Sequence, residues 1–100
     1  MITQNQNKEY SILLPNKGRG KKEFDTLKKR REKQLNKAIE KLKKNPTNLK
    51  IKGIEKINDA RFGEYTIRIS KGYRLFYDVD HDKREVYIFR AGKHDLYKLI

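Results

Sequence analysis

Six side chains in the C-terminal third of the sequence could together bind and act on a phosphate group. They are cationic, titratable or aromatic, and they are Arg68, Arg74, Arg90, Lys93, His94 and Tyr97. Arginine offers phosphate a planar, permanently charged fork, and histidine, with an ordinary pKa of about 6.5, exchanges protons near neutral pH. Tyrosine can stack on a splayed base or hydrogen-bond a ribose hydroxyl. The set predicts a phosphate or RNA site, with Lys71 as a further phosphate-binding cation.

Cleavage of RNA is the reaction that this set of residue types would serve. RNA carries its own nucleophile, the 2′-hydroxyl beside each phosphodiester, so a protein needs a base, an acid and cations for the charge that grows on the phosphoryl oxygens. Neither a metal nor a cofactor is required. Each residue alone is better explained as an ordinary surface or core side chain, and only their convergence indicates a site.

Alternating strands are the elements that must position these residues. Residues 65–70 and 73–79 alternate between an apolar phase and a phase that carries Arg68 and Arg74. Successive side chains of a strand face opposite sides of the sheet, so one face should be core and the other should place both arginines in solvent. A third apolar run, residues 86–89, ends at Arg90 and leads into the segment that holds Lys93, His94 and Tyr97.

The rest of the chain predicts a helical layer against this sheet. Residues 10–14 form a short strand, residues 16–22 a basic loop, and residues 23–44 a helical region with apolar residues at helical spacing. Arg31 interrupts that apolar stripe, so the region is either one long helix or two helices joined near residues 29–32. Residues 47–60 are predicted to be irregular.

These elements make a single α+β domain over residues 1–100, in the order β-α-(α)-β-β-β. A small, mostly antiparallel sheet packs against an N-terminal helical region, and residues 1–8 are expected to be disordered. Leu, Ile, Val and Phe number 25 of the 100 residues, which is above the level of about 20% below which high charge implies disorder.

The net charge of +13 predicts polyanionic partners. A field of this sign attracts nucleic acid and acidic protein segments. The chain has no cysteine and only two histidines, so neither a disulfide framework nor a structural zinc site is expected. Aspartates crowd residues 78–82, but they are interpreted as hairpin-turn residues and not as a metal site. With no apolar signal region and no membrane-length run, we expect a soluble cytoplasmic protein.

Two segments resemble the RelE/ParE superfamily of bacterial type II toxins, and in particular its RelE/YoeB/YafQ-like mRNA interferase branch. Residues 72–77 read Gly-Tyr-Arg-Leu-Phe-Tyr and resemble a strand motif of the family. Residues 91–97 read Ala-Gly-Lys-His-Asp-Leu-Tyr and resemble its C-terminal motif. Element order and charge pattern extend the likeness from about residue 10 to residue 97. The chain departs from RelE at Thr66, where RelE has lysine, and at His94, where RelE has arginine but YoeB and YafQ have histidine.

This resemblance implies a function, a set of site residues and partners. It implies a metal-independent endoribonuclease that cleaves mRNA in the ribosomal A site and is neutralised by an acidic antitoxin protein. Arg74, His94, Tyr97 and Arg68 would be the catalytic residues. Two alternatives stay open: a gyrase inhibitor of the same fold, similar to ParE, and a non-catalytic basic protein that binds RNA or the ribosome.

Overall fold

The computed structural model describes residues 9–93, which form two helices and five strands. Along the chain the elements are β1 (Ser11–Leu13), α1 (Gly18–Arg30), α2 (Glu32–Lys44), β2 (Ile54–Asp59), β3 (Gly63–Ser70), β4 (Tyr73–Asp80) and β5 (Glu85–Lys93). The predicted α+β class and the order of helices before the main strands are confirmed. The expectation of disorder at residues 1–8 lies outside the described residues. No helix in this described part is both long and apolar enough to span a membrane.

One mixed sheet joins all five strands in the spatial order β1-β5-β4-β3-β2. Strands β2 to β5 follow one another as antiparallel neighbours, which short turns can connect. Strand β1 pairs with β5 in parallel at the sheet edge, and the two helices lie between β1 and the rest of the sheet in sequence. The sheet is therefore mostly antiparallel, as predicted.

Both helices pack on one face of the sheet, and this arrangement builds the main core. The core joins apolar side chains of α1 and α2 to the phase of β3 and β4 that was predicted to face inward. Its buried members are Phe24, Leu27, Leu35, Ala38, Leu42, Ile54, Ile67, Ile69, Leu75, Tyr77, Val86, Ile88 and Ala91. We call the other side of the sheet, which lies opposite this core cluster, the open face.

A break at Arg31 divides the helical region into two helices, which was one of the two predicted alternatives. Arg31 has φ −139° and ψ 46°, well outside helical values. No glycine or proline causes the break. The start of α1 corrects the prediction for residues 16–22, since the helix begins at Gly18, inside the predicted loop.

The first turn of α1 packs closely against β5. A Cβ atom added to Gly20 would lie 2.2 Å from the carbonyl oxygen of Phe89, so the missing side chain lets the first turn of α1 approach the strand. The prediction of a loop over residues 16–22 missed this packing role of Gly20.

The prediction that residues 47–60 are irregular is wrong for their second half. Ile54–Asp59 form β2, which pairs antiparallel with β3. Its inward and outward residues do not alternate cleanly, and Asn58 adopts a positive φ of 52° beside an irregularity in the pairing. A bulged strand of this kind hides the period of two on which the sequence prediction depends. Gly53, just before it, has φ 98°, which favours glycine.

Candidate functional site

The hairpin of β3 and β4 places two arginines directly opposite each other. Arg68 and Arg74 are Cα partners in the antiparallel register, so their side chains leave the sheet on the same side, the open face. Like charges that face each other across a strand pair destabilise a sheet. An anion bound next to Arg68 and Arg74 would reduce the repulsion between them. The two arginines lie at the end of the hairpin next to the turn.

Arg68 is exposed, as predicted, but Arg74 is not, and the prediction that both arginines are in solvent is wrong for Arg74. Its side chain is 4% exposed, and its Nη1 donates to the carboxylate of Glu55 at 3.3 Å. Glu55 belongs to β2, two strands away from β4, so the long arginine side chain reaches diagonally across β3. The carboxylate of Glu55 is itself 54% exposed, and Arg74 therefore has a partner at the solvent boundary.

A second, smaller apolar cluster lies on the open face, which also carries Arg74. Phe62, in the turn between β2 and β3, packs against Phe76 of β4 with ring centroids 5.3 Å apart. Both phenylalanines and the neighbouring Thr66 are at most 1% exposed, and the Thr66 hydroxyl donates to the carbonyl of Leu75 at 2.8 Å. The open face is therefore apolar in its middle and presents charge at its ends.

A cleft beside the hairpin turn brings together three of the predicted cations. It encloses about 330 Å³ and is lined by residues 68 and 70–74, which include Arg68, Lys71 and Arg74. Gly72 in the turn has φ 85°, and a Cβ atom there would meet no atom within 4 Å. The space above the turn is open, so a ligand could reach the cleft from the end of the sheet.

Arg90 lies on the open face but has a structural partner. Its Nε and Nη2 atoms donate to the two carboxylate oxygens of Glu23 in α1, at 2.8 and 2.7 Å. The carboxylate also accepts the backbone N–H of Ala91 at 3.1 Å, and hydrogen bonding to Glu23 raises the pKa of Arg90. The guanidinium stacks on Phe62, with Cζ 5.0 Å from the ring centroid. Arg90 thus ties α1 to β5 and covers the small apolar cluster.

The remaining predicted site residues lie where β5 ends. Lys93 is exposed and is the Cα partner of Tyr73. Because Tyr73 packs on the helix-side core, Lys93 belongs to the helix-covered face, at the same end of the sheet as Arg74 but on its other side. His94 and Tyr97 lie outside the described residues.

One cation near this end was not among the predicted site residues. Arg31, at the break between α1 and α2, places its Cζ 5.7 Å from the centroid of the Tyr73 ring. The sequence carried a signal for it, because Arg31 interrupts the apolar stripe of the helical region. That signal was interpreted only as a mark of a helix boundary.

The opposite end of the open face is acidic. Asp78 lies four residues beyond Arg74 on β4, and its carboxylate accepts the backbone N–H of Glu64 at 2.6 Å. A cleft there is lined by Asp59, Glu64 and Asp78 together with Arg61. Asp59 pairs with the Arg61 guanidinium, and this hydrogen bonding lowers the pKa of Asp59. The open face therefore has one end that suits an anion and one that does not.

The aspartate-rich stretch of residues 78–82, which was predicted to be a turn, is a turn only in its second part, because Asp78 and Asp80 belong to β4 and residues 81–84 form the turn. Strand β4 ends at Asp80 and β5 begins at Glu85, and the Asp80 carboxylate accepts the backbone N–H of Lys83 at 3.1 Å. His81 accepts or donates a hydrogen bond with the hydroxyl of Tyr10 at 2.8 Å. These contacts give the stretch a structural role in the hairpin.

Solved structures of two toxin–antitoxin complexes share this fold. A chain of the YoeB–YefM complex from Staphylococcus aureus is 20% identical, with a TM-score of 0.63, and the match covers 85% of this chain and 97% of that one. A chain of the RelBE2 complex from Mycobacterium tuberculosis is 17% identical, with a TM-score of 0.53, and covers 86% and 99% respectively. Among curated proteins, none matches the chain significantly.

A family model gives the assignment that these distant structures cannot. The model is described as the ParE toxin of the type II toxin–antitoxin system parDE, and it matches residues 17–95. That range includes the whole motif of residues 72–77 and residues 91–95 of the second motif, on which the resemblance to the RelE/ParE superfamily depended, and the predicted recognition is confirmed. The protein belongs to the ParE toxin family of type II toxin–antitoxin systems, within the RelE/ParE superfamily.

Proposed function

We propose that the protein is a toxin that cleaves mRNA in the ribosomal A site without a metal ion. The observation that carries the proposal is the pairing of Arg68 and Arg74 on one sheet face beside an open cleft. A phosphodiester in that cleft would add negative charge beside both cations, of which Arg74 already has Glu55 as a partner. A surface that needed only a positive charge would not require two arginines in register.

In the proposed reaction, the RNA 2′-oxygen attacks the neighbouring phosphorus and the bond to the 5′-oxygen breaks. The products are a 2′,3′-cyclic phosphate and a 5′-hydroxyl, so no external nucleophile enters. Arg68 and Arg74 bind the phosphoryl oxygens as charge grows on them. His94 exchanges a proton with the attacking or the leaving oxygen, Tyr97 holds the base or the 2′-hydroxyl, and Lys71 and Lys93 bind flanking phosphates.

Glu55 is central to this proposal because it already occupies an anion position at Arg74. The hydrogen bond from Arg74 Nη1 to Glu55 is 3.3 Å long, which is longer than the usual 2.7–2.9 Å of a charge-assisted pair. A phosphate offers more acceptor oxygens and can replace a monodentate carboxylate. In this scheme, Glu55 is one anionic partner of Arg74, and the substrate phosphate takes the place of its carboxylate.

An acidic antitoxin is the proposed protein partner. The two solved structures that share the fold are toxin–antitoxin complexes, and this chain has a net charge of +13. An acidic partner would associate rapidly with such a surface. It would also compete with RNA for the same cations, which makes neutralisation and substrate binding mutually exclusive.

Primer extension on an mRNA held in programmed ribosomes tests the nuclease proposal. Wild type should give A-site cuts, and these should vanish with Arg68→Ala and with His94→Ala. Arg61→Ala is the matched control for Arg68→Ala, because it also removes an exposed arginine next to β3, but at the acidic end. Circular dichroism verifies the fold of each variant. Full cleavage by folded Arg68→Ala and His94→Ala would refute the assignment.

Inhibition of DNA gyrase is the second candidate function, because the family model that matches is that of ParE. It predicts growth arrest on induction with intact mRNA, and loss of supercoiling activity when purified gyrase is mixed with the protein. The same primer-extension experiment separates the candidates. Cells that stop growing while every A-site codon stays uncut would favour the gyrase target.

A further inference from the structure

A cation at the junction of the two helices lies beside the proposed RNA site without being part of its motifs. Arg31 is the last residue before α2 and the first after α1, and its non-helical ψ of 46° separates the two helices. The same residue places its guanidinium over the ring of Tyr73, 5.7 Å from the centroid. Tyr73 is next to Arg74 on β4, so the helix break brings a cation to the end of the sheet that carries the arginine pair.

The break has no local cause in the sequence, which makes the position of Arg31 informative. Glycine and proline, the usual agents of a helix break, are absent from residues 28–34. The side chain of Arg31 makes no capping hydrogen bond at the start of α2. Its own hydrogen bond, from Nη1 to the carbonyl of Arg30 at 3.0 Å, is local and exposed. The cation–π contact with Tyr73 is the tertiary contact that the break makes available.

Stacking on an aromatic face leaves the edge of a guanidinium available to an anion. The N–H groups of arginine lie in the plane of the fork, whereas the attraction to a ring acts through its face. Tyr73 can therefore hold the plane of Arg31 while the N–H edge binds phosphate. Among residues 9–93, no carboxylate forms an ion pair with Arg31, in contrast to Arg74 and Arg90.

A second cation, Lys93, lies at the same end of the sheet as Arg31 and Tyr73. Lys93 is the Cα partner of Tyr73 on β5 and is exposed. Arg31, Tyr73 and Lys93 lie at the helix-covered side of the sheet end, and Arg68 and Arg74 lie at its open side. The turn at Lys71 and Gly72, with open space above Gly72, separates the two groups. A strand that crosses this turn would meet both.

We propose that Arg31, oriented by Tyr73, binds a second phosphate of a single-stranded RNA, beyond the phosphodiester held by Arg68 and Arg74. This inference rests on the proposed RNA-directed function and adds one residue to it. Arg31 is a binding residue in this scheme, and Tyr73 is a positioning residue that acts through it. The RNA would leave the arginine cleft by crossing the end of the sheet toward the junction of α1 and α2.

Salt-dependent RNA binding tests the inference directly. The probe is a labelled, single-stranded oligoribonucleotide whose 2′-hydroxyls are methylated, so that it binds without being cleaved. Its affinity for the full chain is measured by fluorescence anisotropy between about 50 and 200 mM salt. Each phosphate contact to a single strand contributes about 0.7 to the slope of log K against log salt. Arg31→Ala should reduce that slope by about 0.7.

Three variants separate a specific contact from a general loss of charge. Lys33→Ala removes an exposed cation from the side of α2 opposite its buried residues, and its slope should stay within error of wild type. Tyr73→Phe keeps the aromatic ring and should bind as wild type does. Tyr73→Leu keeps apolar bulk without the ring and should weaken binding in the same direction as Arg31→Ala.

The outcomes distinguish this inference from the proposed function. If Arg31→Ala has the same salt slope as Lys33→Ala while Arg68→Ala has a reduced slope, RNA binding in the arginine cleft is supported and the Arg31 subsite is refuted. If Arg68→Ala also leaves the slope unchanged, or if wild type does not bind the oligonucleotide, the RNA-directed function falls and the inference falls with it. Normal binding by Tyr73→Leu would refute the positioning role.

Discussion

The contact between Glu23 and Arg90 gives a sharp test of how the helical layer is fixed to the sheet. Glu23 accepts three hydrogen bonds, two from the Arg90 guanidinium and one from the backbone of Ala91. We expect Glu23→Ala to be the more damaging of two acidic substitutions in α1. The comparison is with Asp25→Ala, which removes an exposed i,i+4 pair to Lys21 of equal length, 2.7 Å.

Burial decides the magnitudes of these two effects. The Glu23 and Arg90 side chains are only 21% and 19% exposed, so solvent screens the pair weakly, and its removal leaves a partly buried cation and an unpaired backbone donor. Hydrogen bonds to charged groups contribute about 1.5–3 kcal/mol, and the three bonds are not additive, so we expect a loss of about 2–3 kcal/mol. Asp25 and Lys21 are each 50% exposed, and such surface pairs contribute about 0.2–1 kcal/mol.

Thermal and urea unfolding followed by circular dichroism measure the difference. For a domain of this size, 1 kcal/mol shifts Tm by about 4–8 °C, so Glu23→Ala should lower Tm by roughly 8–24 °C. Asp25→Ala should lower it by less than about 8 °C. Glu23→Gln retains an acceptor for the Ala91 N–H and should fall between Glu23→Ala and wild type. A double-mutant cycle with Arg90→Ala gives the pairwise coupling energy.

The Arg90→Ala variant also tests the role of Arg90, which the sequence predicted to bind phosphate, when its stability and its RNA binding are both measured. If the pair is structural, Arg90→Ala loses stability but keeps its salt slope for RNA, measured well below its Tm. A Glu23→Ala variant as stable as Asp25→Ala would refute the reasoning from burial. An Arg90→Ala variant with normal stability and a reduced slope would restore the phosphate-binding interpretation.

Two further substitutions test packing on either side of the sheet. Tyr77→Phe removes the buried hydrogen bond of 2.6 Å from the Tyr77 hydroxyl to the Pro46 carbonyl and should cost about 1–3 kcal/mol in urea unfolding at neutral pH. Burial raises the pKa of Tyr77. The contribution of the Tyr77 side chain to the free energy of unfolding is therefore complete below the ordinary pKa of about 10 and declines at higher pH. The difference in stability between wild type and Tyr77→Phe should narrow there. Gly20→Ala should lower Tm, because the added Cβ would lie 2.2 Å from the Phe89 carbonyl oxygen. Overpacking costs about 1–3 kcal/mol, which exceeds the gain in helix propensity of about 1 kcal/mol. The control is Asn36→Ala, at an exposed position in α2, which should not lower Tm.

Local patterns were sufficient to predict the elements with a clean period. The alternation in β3 and β4 gave the correct inward phase, because Ile67, Leu75 and Tyr77 are all fully buried. The period in α2 placed Leu35 and Leu42 in the core. Strand β2 was not predicted, because its positive φ at Asn58 and its irregular pairing with β3 interrupt the alternation of inward and outward side chains. A pattern of period two cannot be recognised when the backbone departs from it.

Long-range ion pairs were beyond any local pattern, and they changed the interpretation of two predicted site residues. Glu55 is 19 residues from Arg74, and Glu23 is 67 residues from Arg90. The sequence could show that both arginines occur near strand ends, but not which carboxylates reach them. The sequence therefore predicted that Arg74 faces solvent and that Arg90 binds phosphate. In the structure Arg74 is buried and Arg90 forms a salt bridge with Glu23.

The layout of charge on the open face constrains how a nucleic acid could lie on it. Asp78 follows Arg74 by four residues on β4, a separation of about 13 Å along the strand. This distance exceeds the Debye length of about 8–10 Å at 0.1–0.15 M salt, so the acidic end does not cancel the attraction of the arginine end. A phosphate chain that ran along β4 would pass from attraction into repulsion within one strand. A chain that crosses the sheet end, from Arg68 over the turn at Gly72 toward Arg31, would meet cations throughout.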